Sequence, residues 1–317
     1  MDDRIKKYEN LIRAFADRCD GIIYHYTSCE GFRGIIENSE IWLTNTEFVN
    51  DTTECKALQE KKDLFSDDEF ENDFVRDAWK KFINNPDTSN NTYIASFSRG
   101  KKESLEQWRA YGNFRIGFEA KKLIFPPFNL YKCVYSRDRI REWILQKSKL
   151  KEWDTDNIND NDQYKRGAAF HLIYAASRMF KNEYFKNEKE VRIITVSHTT
   201  WDPYHKSPSM FKKDRPIYYR PHPIYKIPVP YVKLIIPDPE KQEKKEDKIE
   251  PSTPIQMKES KLEEEKNIKR KLLPIKEILI GPMLHKKEAE IACEILLRDK
   301  GYKDTKLEVS NIPYRGF

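Results

Sequence analysis

The sequence has few glycines and no long apolar run, and each shortage excludes a class of protein. Only 10 of the 317 residues are glycine. No G-x-G-x-x-G, Walker loop, H-E-x-x-H or G-x-S-x-G motif occurs, which excludes the commonest nucleotide-binding, zinc-peptidase and hydrolase signatures. No stretch approaches the ~18 apolar residues of a transmembrane helix, and the N-terminus lacks an apolar signal region. We therefore expect no membrane association.

The cysteines are too scattered to form a disulfide framework or a zinc site. They are Cys19, Cys29, Cys55, Cys133 and Cys293. Their number is odd and no C-x-x-C pair occurs, whereas disulfide scaffolds and structural zinc sites use paired, closely spaced cysteines. We expect no bound metal and a reducing, cytoplasmic location.

Charged and aromatic residues are abundant instead. Charged residues make up 35% of the chain and aromatic residues 13%, with a net charge of +6. Bulky aromatic side chains can build a substantial core. The mildly basic balance permits nucleic-acid binding without requiring it.

One segment differs sharply in composition from the rest of the chain. Residues 238–271 hold ten acidic and ten basic residues and almost no apolar ones. Such a segment cannot bury a core, so we expect an exposed charged insertion, partly helical over 258–271. Residues 1–237 and 272–317 are then expected to form a single domain.

Hydrophobic periodicity predicts an irregular series of helices and short strands. The predicted helices cover 4–18, 31–38, a segment from Thr52 or Thr53 to Phe65, 69–83, a short helix capped by Ser104, 138–151, 163–183 and 285–299. The predicted strands cover 22–26, 41–44, 92–98, 114–118, 130–135, 191–196, 231–236, 275–280 and 306–310. This irregular order favours an α+β fold over a doubly wound parallel sheet.

The stretch Gly21-Ile22-Ile23-Tyr24-His25-Tyr26-Thr27-Ser28 is the first candidate for function. It places His25 near the end of a strand, and Ser28 is predicted to cap the following helix. Strand ends beside helices are suitable places to hold a ligand. The alternative is that His25 is an ordinary histidine of the core, which is the commoner role of a single histidine in an apolar strand.

Two further pieces carry polar groups on predicted strands. Ser96 and Ser98 alternate with Phe97, so both hydroxyls face one side of a strand. Glu188 and Glu190 are also two apart, and in an extended chain they share one face. Arg192 then lies on that same face and is expected to neutralise one of the two glutamates. Taken singly, these patterns are also typical of ordinary strands and solvated edges.

Taken together and in this order, the motifs resemble an uncharacterised bacterial domain family, over roughly residues 22–310. The matching pieces are Tyr24-His25-Tyr26-Thr27-Ser28, Ile41-Trp42-Leu43-Thr44, Asn50-Asp51 with Glu54, Ala95-Ser96-Phe97-Ser98, Trp108-Arg109-Ala110-Tyr111-Gly112, Glu188-Lys189-Glu190-Val191-Arg192 and Glu277-Ile278-Leu279-Ile280-Gly281-Pro282. That family in turn resembles the ADP-ribosyltransferase superfamily. The resemblance implies a mixed, mostly antiparallel split sheet flanked by helices.

The superfamily resemblance also implies roles for the candidate residues of the first and third predicted strands. His25 would bind NAD near the adenosine ribose, with Thr27 or Ser28 beside it. Ser96 and Ser98 would support the nicotinamide pocket. This combination departs from the usual pattern, in which the Ser-x-Ser form accompanies an early arginine rather than a histidine.

The resemblance implies further roles for one aromatic residue, one arginine and the two glutamates. Tyr111 would serve as the aromatic beside nicotinamide, and Arg109 would either hold an NAD phosphate or pair with a core acid. Glu190 would be the catalytic carboxylate and Glu188 would assist the acceptor, although the spacing does not establish which is catalytic. A carboxylate suits this reaction because it stabilises an oxocarbenium-like centre and can bond the ribose 2′-hydroxyl.

These features predict an NAD-dependent mono-ADP-ribosyltransferase that modifies RNA or protein. By analogy, such an enzyme would be a bacterial toxin or phage-defence effector, with a neutralising antitoxin protein as partner. One alternative is an NAD glycohydrolase that uses the same pocket with water as acceptor. A second is a non-enzymatic nucleic-acid or protein-binding module on a degenerate transferase fold. A nuclease is a weaker third option, since no carboxylate-histidine cluster has metal spacing.

Overall fold

The computed structural model is a mixed α/β structure with a mostly antiparallel, open sheet flanked by helices. It describes residues 10–17, 19–49, 57–84, 92–125, 128–153, 162–196, 216–222, 224–238 and 270–313. The predicted helix start at 4–9 and the interior of the charged insertion lie outside these residues. No helix formed by the described ranges is long and apolar enough to cross a membrane.

Ten strands form the sheet, and the helices lie around it. The strands are β1 (Ile22–Thr27), β2 (Glu40–Asn45), β3 (Thr92–Ser98), β4 (Phe114–Glu119), β5 (Asn129–Lys132), β6 (Glu190–Val196), β7 (Tyr218–Pro221), β8 (Pro228–Ile235), β9 (Ile275–Ile280) and β10 (Lys306–Val309). The helices are α1 (including residues 10–15), α2 (Cys29–Asn38), α3 (Asp73–Asn84), α4 (Leu105–Tyr111), α5 (Arg137–Ser148), α6 (Asp162–Met179) and α7 (Lys286–Asp299).

The sheet divides into two branches beside β3. One edge of β3 pairs with β6 along its whole length. The other edge is shared: β2 pairs at Tyr93 and Ile94, whereas β1 pairs only at Ser98. From this fork, one branch continues as β1-β4-β9-β10 and the other as β2-β8-β7. All these pairs are antiparallel except β9 with β10.

Alternation along the strands builds a separate core on each face of the sheet. In β3, Tyr93, Ala95 and Phe97 enter the core that α2 and α7 cover. Ile94 faces the opposite way, into the core formed with α1, α3, α5 and α6. Because β3 contributes to both cores, it is the structural centre of the domain.

Most predicted elements are confirmed to within a few residues, including the strand over 92–98 and the helix that ends near Gly301. The predicted helix up to Phe65 is wrong over its described part, which contains turns and a short 3-10 helix, Lys62–Leu64. Leu58 and Leu64 are both buried. Residues six apart lie on different sides of an α-helix, so an irregular segment buries both more easily.

The two ends of the charged insertion meet at the end of β8. Pro237 and Arg270 form an isolated β-bridge, and the Lys271 amide donates to the Ile236 carbonyl at 2.9 Å. Pro237 and Arg270, near the two ends of the predicted insertion, therefore lie side by side, so a long segment between them need not interrupt the sheet.

His171 on α6 is a mostly buried titratable group away from the fork of the sheet. Its Nε2 lies 3.1 Å from the Tyr131 hydroxyl, and its ring stacks on Phe15 with centroids 6.3 Å apart. Burial lowers the pKa of His171 from 6.5 to about 4. The imidazole is therefore neutral in the folded protein at neutral pH.

We expect acidification to destabilise the fold through this histidine. Between the unfolded pKa of 6.5 and the folded pKa of about 4, the unfolded chain takes up a proton that the folded chain does not. Stability is thus complete above pH 6.5 and falls as the pH drops. Because the ring is partly exposed, we expect a loss of about 2 kcal/mol between about pH 7 and about pH 4.5. Urea unfolding at both pH values measures it, and His171→Gln should reduce the difference by about this amount. An equal pH dependence in the variant would contradict this assignment.

Candidate active site at the fork of the sheet

A small cleft of about 70 Å³, open to solvent on one side, lies beside the fork. It is lined by Tyr24, His25, Tyr26, Ser96, Phe97, Ser98, Gln107, Tyr111, Glu188 and Glu190. These residues come from β1, β3, α4 and the segment that enters β6. The divergence of β1 from β2 makes the opening, because neither strand covers the edge of β3 between its two paired ends.

His25 satisfies the backbone of β3 where the strands diverge. Ser96 pairs with neither β1 nor β2 in the described strands, and its carbonyl lies 2.9 Å from His25 Nδ1. A carbonyl only accepts, so Nδ1 carries the proton and Nε2 is the acceptor. Burial lowers the pKa of His25, and the bond to Ser96 only partly offsets this. The imidazole is therefore neutral and offers one acceptor nitrogen.

The two serines of β3 have different surroundings. Ser98 is buried, donates to the Glu188 carbonyl at 2.7 Å and accepts from the Gly100 amide at 3.0 Å. Ser96 is exposed to the cleft. Ser98 thus positions the backbone of the neighbouring segment, whereas the Ser96 hydroxyl is accessible to a ligand.

Helix α4 carries Tyr111 into the cleft. Ser104 caps the helix as predicted, accepting from the Gln107 amide at 3.4 Å. The helix ends at Gly112, whose φ of 113° and close approach to Ser28 suit only glycine: an added Cβ would lie 2.7 Å from Ser28 Cα. This contact fixes the end of α4 against the junction between β1 and α2.

The hydroxyl of Tyr111 contacts the first glutamate. It donates to Glu188 Oε1 at 3.3 Å. Burial of the hydroxyl, together with the nearby Glu188 charge, raises the pKa of Tyr111 to about 12. The ring itself is 39% exposed. Tyr111 is therefore a neutral hydrogen-bond donor with an accessible aromatic face.

Glu188 and Glu190 do not share an extended segment, which corrects the sequence-based expectation. Glu188 ends a 3-10 helix, Glu183–Glu188, and Lys189 adopts a left-handed φ of 48° before β6 begins. The bond from Ser98 to the Glu188 carbonyl and the bond from the Arg99 amide to the Lys189 carbonyl hold this turn. Both carboxylates nevertheless reach Lys181 Nζ, each at 2.8 Å.

Glu190 is the deeper carboxylate, and both of its oxygens are engaged. Arg192 donates from Nε to Oε1 at 2.9 Å and from Nη2 to Oε2 at 3.0 Å, and Lys181 adds a third bond. The expected pairing of Arg192 with a glutamate is thus confirmed. Burial alone would raise the pKa of Glu190, but the charges and hydrogen bonds of Arg192 and Lys181 lower it to about 2.

Lys181 completes a charge-balanced cluster of two cations and two carboxylates. Although burial opposes its charge, the neighbouring Glu190 and Glu188 raise the pKa of Lys181. Its ammonium also lies 4.4 Å from the centre of the Phe185 ring. The Glu188 side chain is 19% exposed and that of Glu190 only 5%. Glu188 is therefore the carboxylate that is accessible from the cleft.

Three sequence candidates lie beside the cleft without lining it. Ser28 caps α2, as predicted, by accepting from the Gly31 amide at 3.2 Å. The Thr27 hydroxyl packs over Gly31, where an added Cβ would lie 2.0 Å from it. Arg109 is exposed on α4. In this structure, Thr27 and Ser28 organise the start of α2 rather than face the cleft.

Sequence reasoning missed three polar groups of the site: Tyr26, Gln107 and Lys181. The Tyr26 hydroxyl is buried and has no hydrogen-bond partner in the structure. Its ring packs edge-on against Trp108, with centroids 4.7 Å apart. An unsatisfied buried hydroxyl in a cleft wall is costly unless a ligand or water completes it. Of these three residues, only Tyr26 could have been found from the sequence, because it lies in the motif Tyr24-His25-Tyr26.

The site belongs to a mixed α/β fold with a forked, mostly antiparallel sheet. Across the described ranges, no group of three or more His, Cys, Asp or Glu side chains could hold a metal ion. No family model, curated protein or solved structure matches the chain. The protein can therefore be classified only by its fold and by the geometry of this site.

Proposed function

We propose that the cleft binds NAD and that the protein is a mono-ADP-ribosyltransferase acting on a macromolecule. One observation carries the proposal: four side chains from three widely separated parts of the sequence converge on a single cleft. They supply a neutral histidine (His25), an accessible serine (Ser96), a tyrosine with an exposed ring (Tyr111) and a carboxylate (Glu188). These are the group types that the resemblance to ADP-ribosyltransferases implies.

The reaction breaks the bond between nicotinamide and the ribose C1′ and joins C1′ to a nucleophile of the acceptor. Positive charge develops on the ribose as neutral nicotinamide leaves, and a carboxylate beside the cleft stabilises that charge. The acceptor loses a proton as the new bond forms, and a carboxylate can accept it. Tyr111 would stack on the nicotinamide ring, while His25 Nε2 and the Ser96 hydroxyl would orient ribose and amide groups.

Within this proposal, Glu188 is the carboxylate that reaches the ligand. The resemblance alone favours Glu190 for that role. Glu190, however, has both oxygens bonded to buried cations, whereas Glu188 is partly exposed at the cleft. We therefore assign Glu190 a positioning role: it holds Lys181, which in turn fixes the carboxylate of Glu188.

The cellular role belongs to the proposal as well. A mono-ADP-ribosyltransferase of this kind would act in the cytoplasm as a toxin or defence effector on RNA or protein, and a neutralising antitoxin would be its partner. One observation favours the non-enzymatic alternative: the carboxylates and cations of the site already neutralise one another. Such a cluster could be purely structural in a binding module.

The test is incubation of purified protein with NAD, labelled on its adenylate part, in a cell lysate. We expect labelled macromolecules and free nicotinamide, released in a ratio of about one to one because each transfer breaks one glycosidic bond. Digestion with RNase or protease then identifies the acceptor class. Free ADP-ribose as the only product would indicate a glycohydrolase. Unchanged NAD, with no NAD binding by calorimetry, would contradict the proposal and favour the binding module.

A further inference from the structure

The hairpin formed by β7 and β8 has an unusual composition. Between residues 216 and 237 there is no aspartate or glutamate, but there are three basic residues, Arg220, Lys226 and Lys233. The same stretch contains four tyrosines. Tyr225 in the connection is 71% exposed, whereas Tyr219, 62% exposed, alternates with Tyr218 along β7 and therefore faces the other side of the sheet. We call it the basic aromatic hairpin. Exposed aromatic rings interleaved with cations are typical of surfaces that bind polyanions with planar groups.

Next to this hairpin, β2 contributes a tryptophan that is held rigidly in place. Trp42 and Tyr231 stack with centroids 4.3 Å apart, and Tyr231 stacks on Tyr218 at 5.6 Å. The Trp42 indole donates to Glu40 Oε1 at 2.7 Å. The Trp42 side chain is nevertheless 41% exposed. It is thus a preorganised ring that can stack on a planar group without losing further rotamer freedom.

Cations surround these rings in excess over acids. Lys233 Nζ lies 4.4 Å from the centre of the Tyr218 ring and 3.2 Å from Glu40 Oε1. Arg270 lies 2.9 Å from the other oxygen of Glu40, and Arg220 reaches the Thr44 hydroxyl on the same face of the sheet at 3.4 Å. Among the described residues, Lys233 and Arg270 share the buried carboxylate of Glu40, and Arg220 adds a cation to the same face that is not paired with Glu40.

We infer that this surface, formed by Trp42 and the basic aromatic hairpin, binds single-stranded RNA. Unpaired bases can stack on Trp42, and phosphates are attracted by the surrounding cations, a combination that tolerates many sequences. Bases accessible for stacking occur chiefly in single-stranded RNA segments, whereas a duplex hides them. The excess of positive charge disfavours a basic protein partner.

This inference does not depend on the chemistry of the cleft. The surface lies on the β2-β8-β7 branch of the fork, and none of its residues lines the cleft, which β1 and β3 border. Binding can therefore be measured without NAD and in a Glu188→Gln variant. A failure of the proposed ADP-ribose transfer and a failure of RNA binding can therefore be distinguished.

The experiment is fluorescence anisotropy with a labelled, unstructured RNA of about 12 nucleotides, which is within the usual site size. We expect binding that weakens steeply between about 50 and about 200 mM salt. Trp42→Leu, which keeps an apolar side chain but removes the indole, should weaken binding about tenfold. Arg220→Gln with Lys226→Gln should also weaken it and reduce its salt dependence.

The matched control is Tyr184→Ala, which removes a 93% exposed tyrosine outside the hairpin and should leave the affinity unchanged. Circular dichroism verifies that each variant is folded. The inference is overturned if folded wild-type protein shows no binding at about 100 µM in low salt. It is also overturned if duplex RNA binds as tightly, or if folded Trp42→Leu and the double charge variant bind like wild type.

Discussion

Replacing Glu188 by glutamine is expected to slow the proposed ADP-ribose transfer by about a hundredfold to a thousandfold while leaving the fold intact. The factor is typical for removal of one group that stabilises charge in a transition state. Glutamine keeps the size of the side chain and can still accept from the Tyr111 hydroxyl, which bonds Glu188 at 3.3 Å. Lys181 keeps its ion pair with Glu190 after this substitution, so the loss of stability should be smaller than the ~3–5 kcal/mol that follows when a buried ion loses its partner.

The measurement is single-turnover release of nicotinamide together with urea unfolding of the same samples. Glu183→Gln is the matched control, because Glu183 lies in the same 3-10 helix and is exposed away from the cleft. It should retain wild-type rate and stability. The assignment is reversed if the Glu188 variant stays active while a stable Glu190→Gln variant is inactive.

Replacing Glu190 by glutamine is expected to destabilise the fold by about 3–5 kcal/mol, the usual cost of removing one partner from a buried ion pair. The reason is that Arg192 and Lys181, 0% and 6% exposed, would keep their charges with only the rim carboxylate of Glu188 to balance them. The lowered pKa of Glu190, about 2, has the same physical origin. It implies that this stabilisation is complete above the ordinary carboxyl pKa and is lost as the pH falls towards 2.

A double-mutant cycle separates the ion pair from other effects of the substitution. With Arg192→Met as the second variant, chemical denaturation of the two single variants and the double variant should give a coupling energy of about 2 kcal/mol or more. The double variant should be more stable than Glu190→Gln alone, because it no longer buries a guanidinium that has lost its carboxylate partner. A loss below about 1 kcal/mol for Glu190→Gln would show that the cluster does not stabilise the fold.

Features that depend on neighbouring residues were predictable from the sequence. The strand over 92–98 follows from a run of β-branched and aromatic residues, and the caps at Ser28 and Ser104 need hydrogen bonds that reach only three residues along the chain. Local preferences of this kind agree with the final fold because the tertiary packing reinforces them.

The roles of Lys181 and Ser96 were not predictable, because they depend on distant parts of the chain. Periodicity placed Lys181 inside a helix over 163–183. Helix α6 instead ends at Met179, since Phe180 bridges to Val134 and the Lys181 amide bonds the Val134 carbonyl. The fork is equally non-local, as His25 and Ser96 are 71 residues apart. Similarly, only the turn at Lys189 decides how Glu188 and Glu190 converge.

The position of β6 between β3 and β5 has a consequence for synthesis of the protein. The last part of the chain to join the cleft is the segment that holds Glu188 and enters β6, and β6 also joins β5 to β3. The contacts that this segment makes with β3 close loops of about 90 to about 100 residues, and such long-range contacts form late in folding. A nascent chain whose β6 segment has not yet emerged from the ribosome thus contains His25, Ser96 and Tyr111 but has no assembled site. An enzyme harmful to its own cell would remain inactive until most of its sequence had been translated.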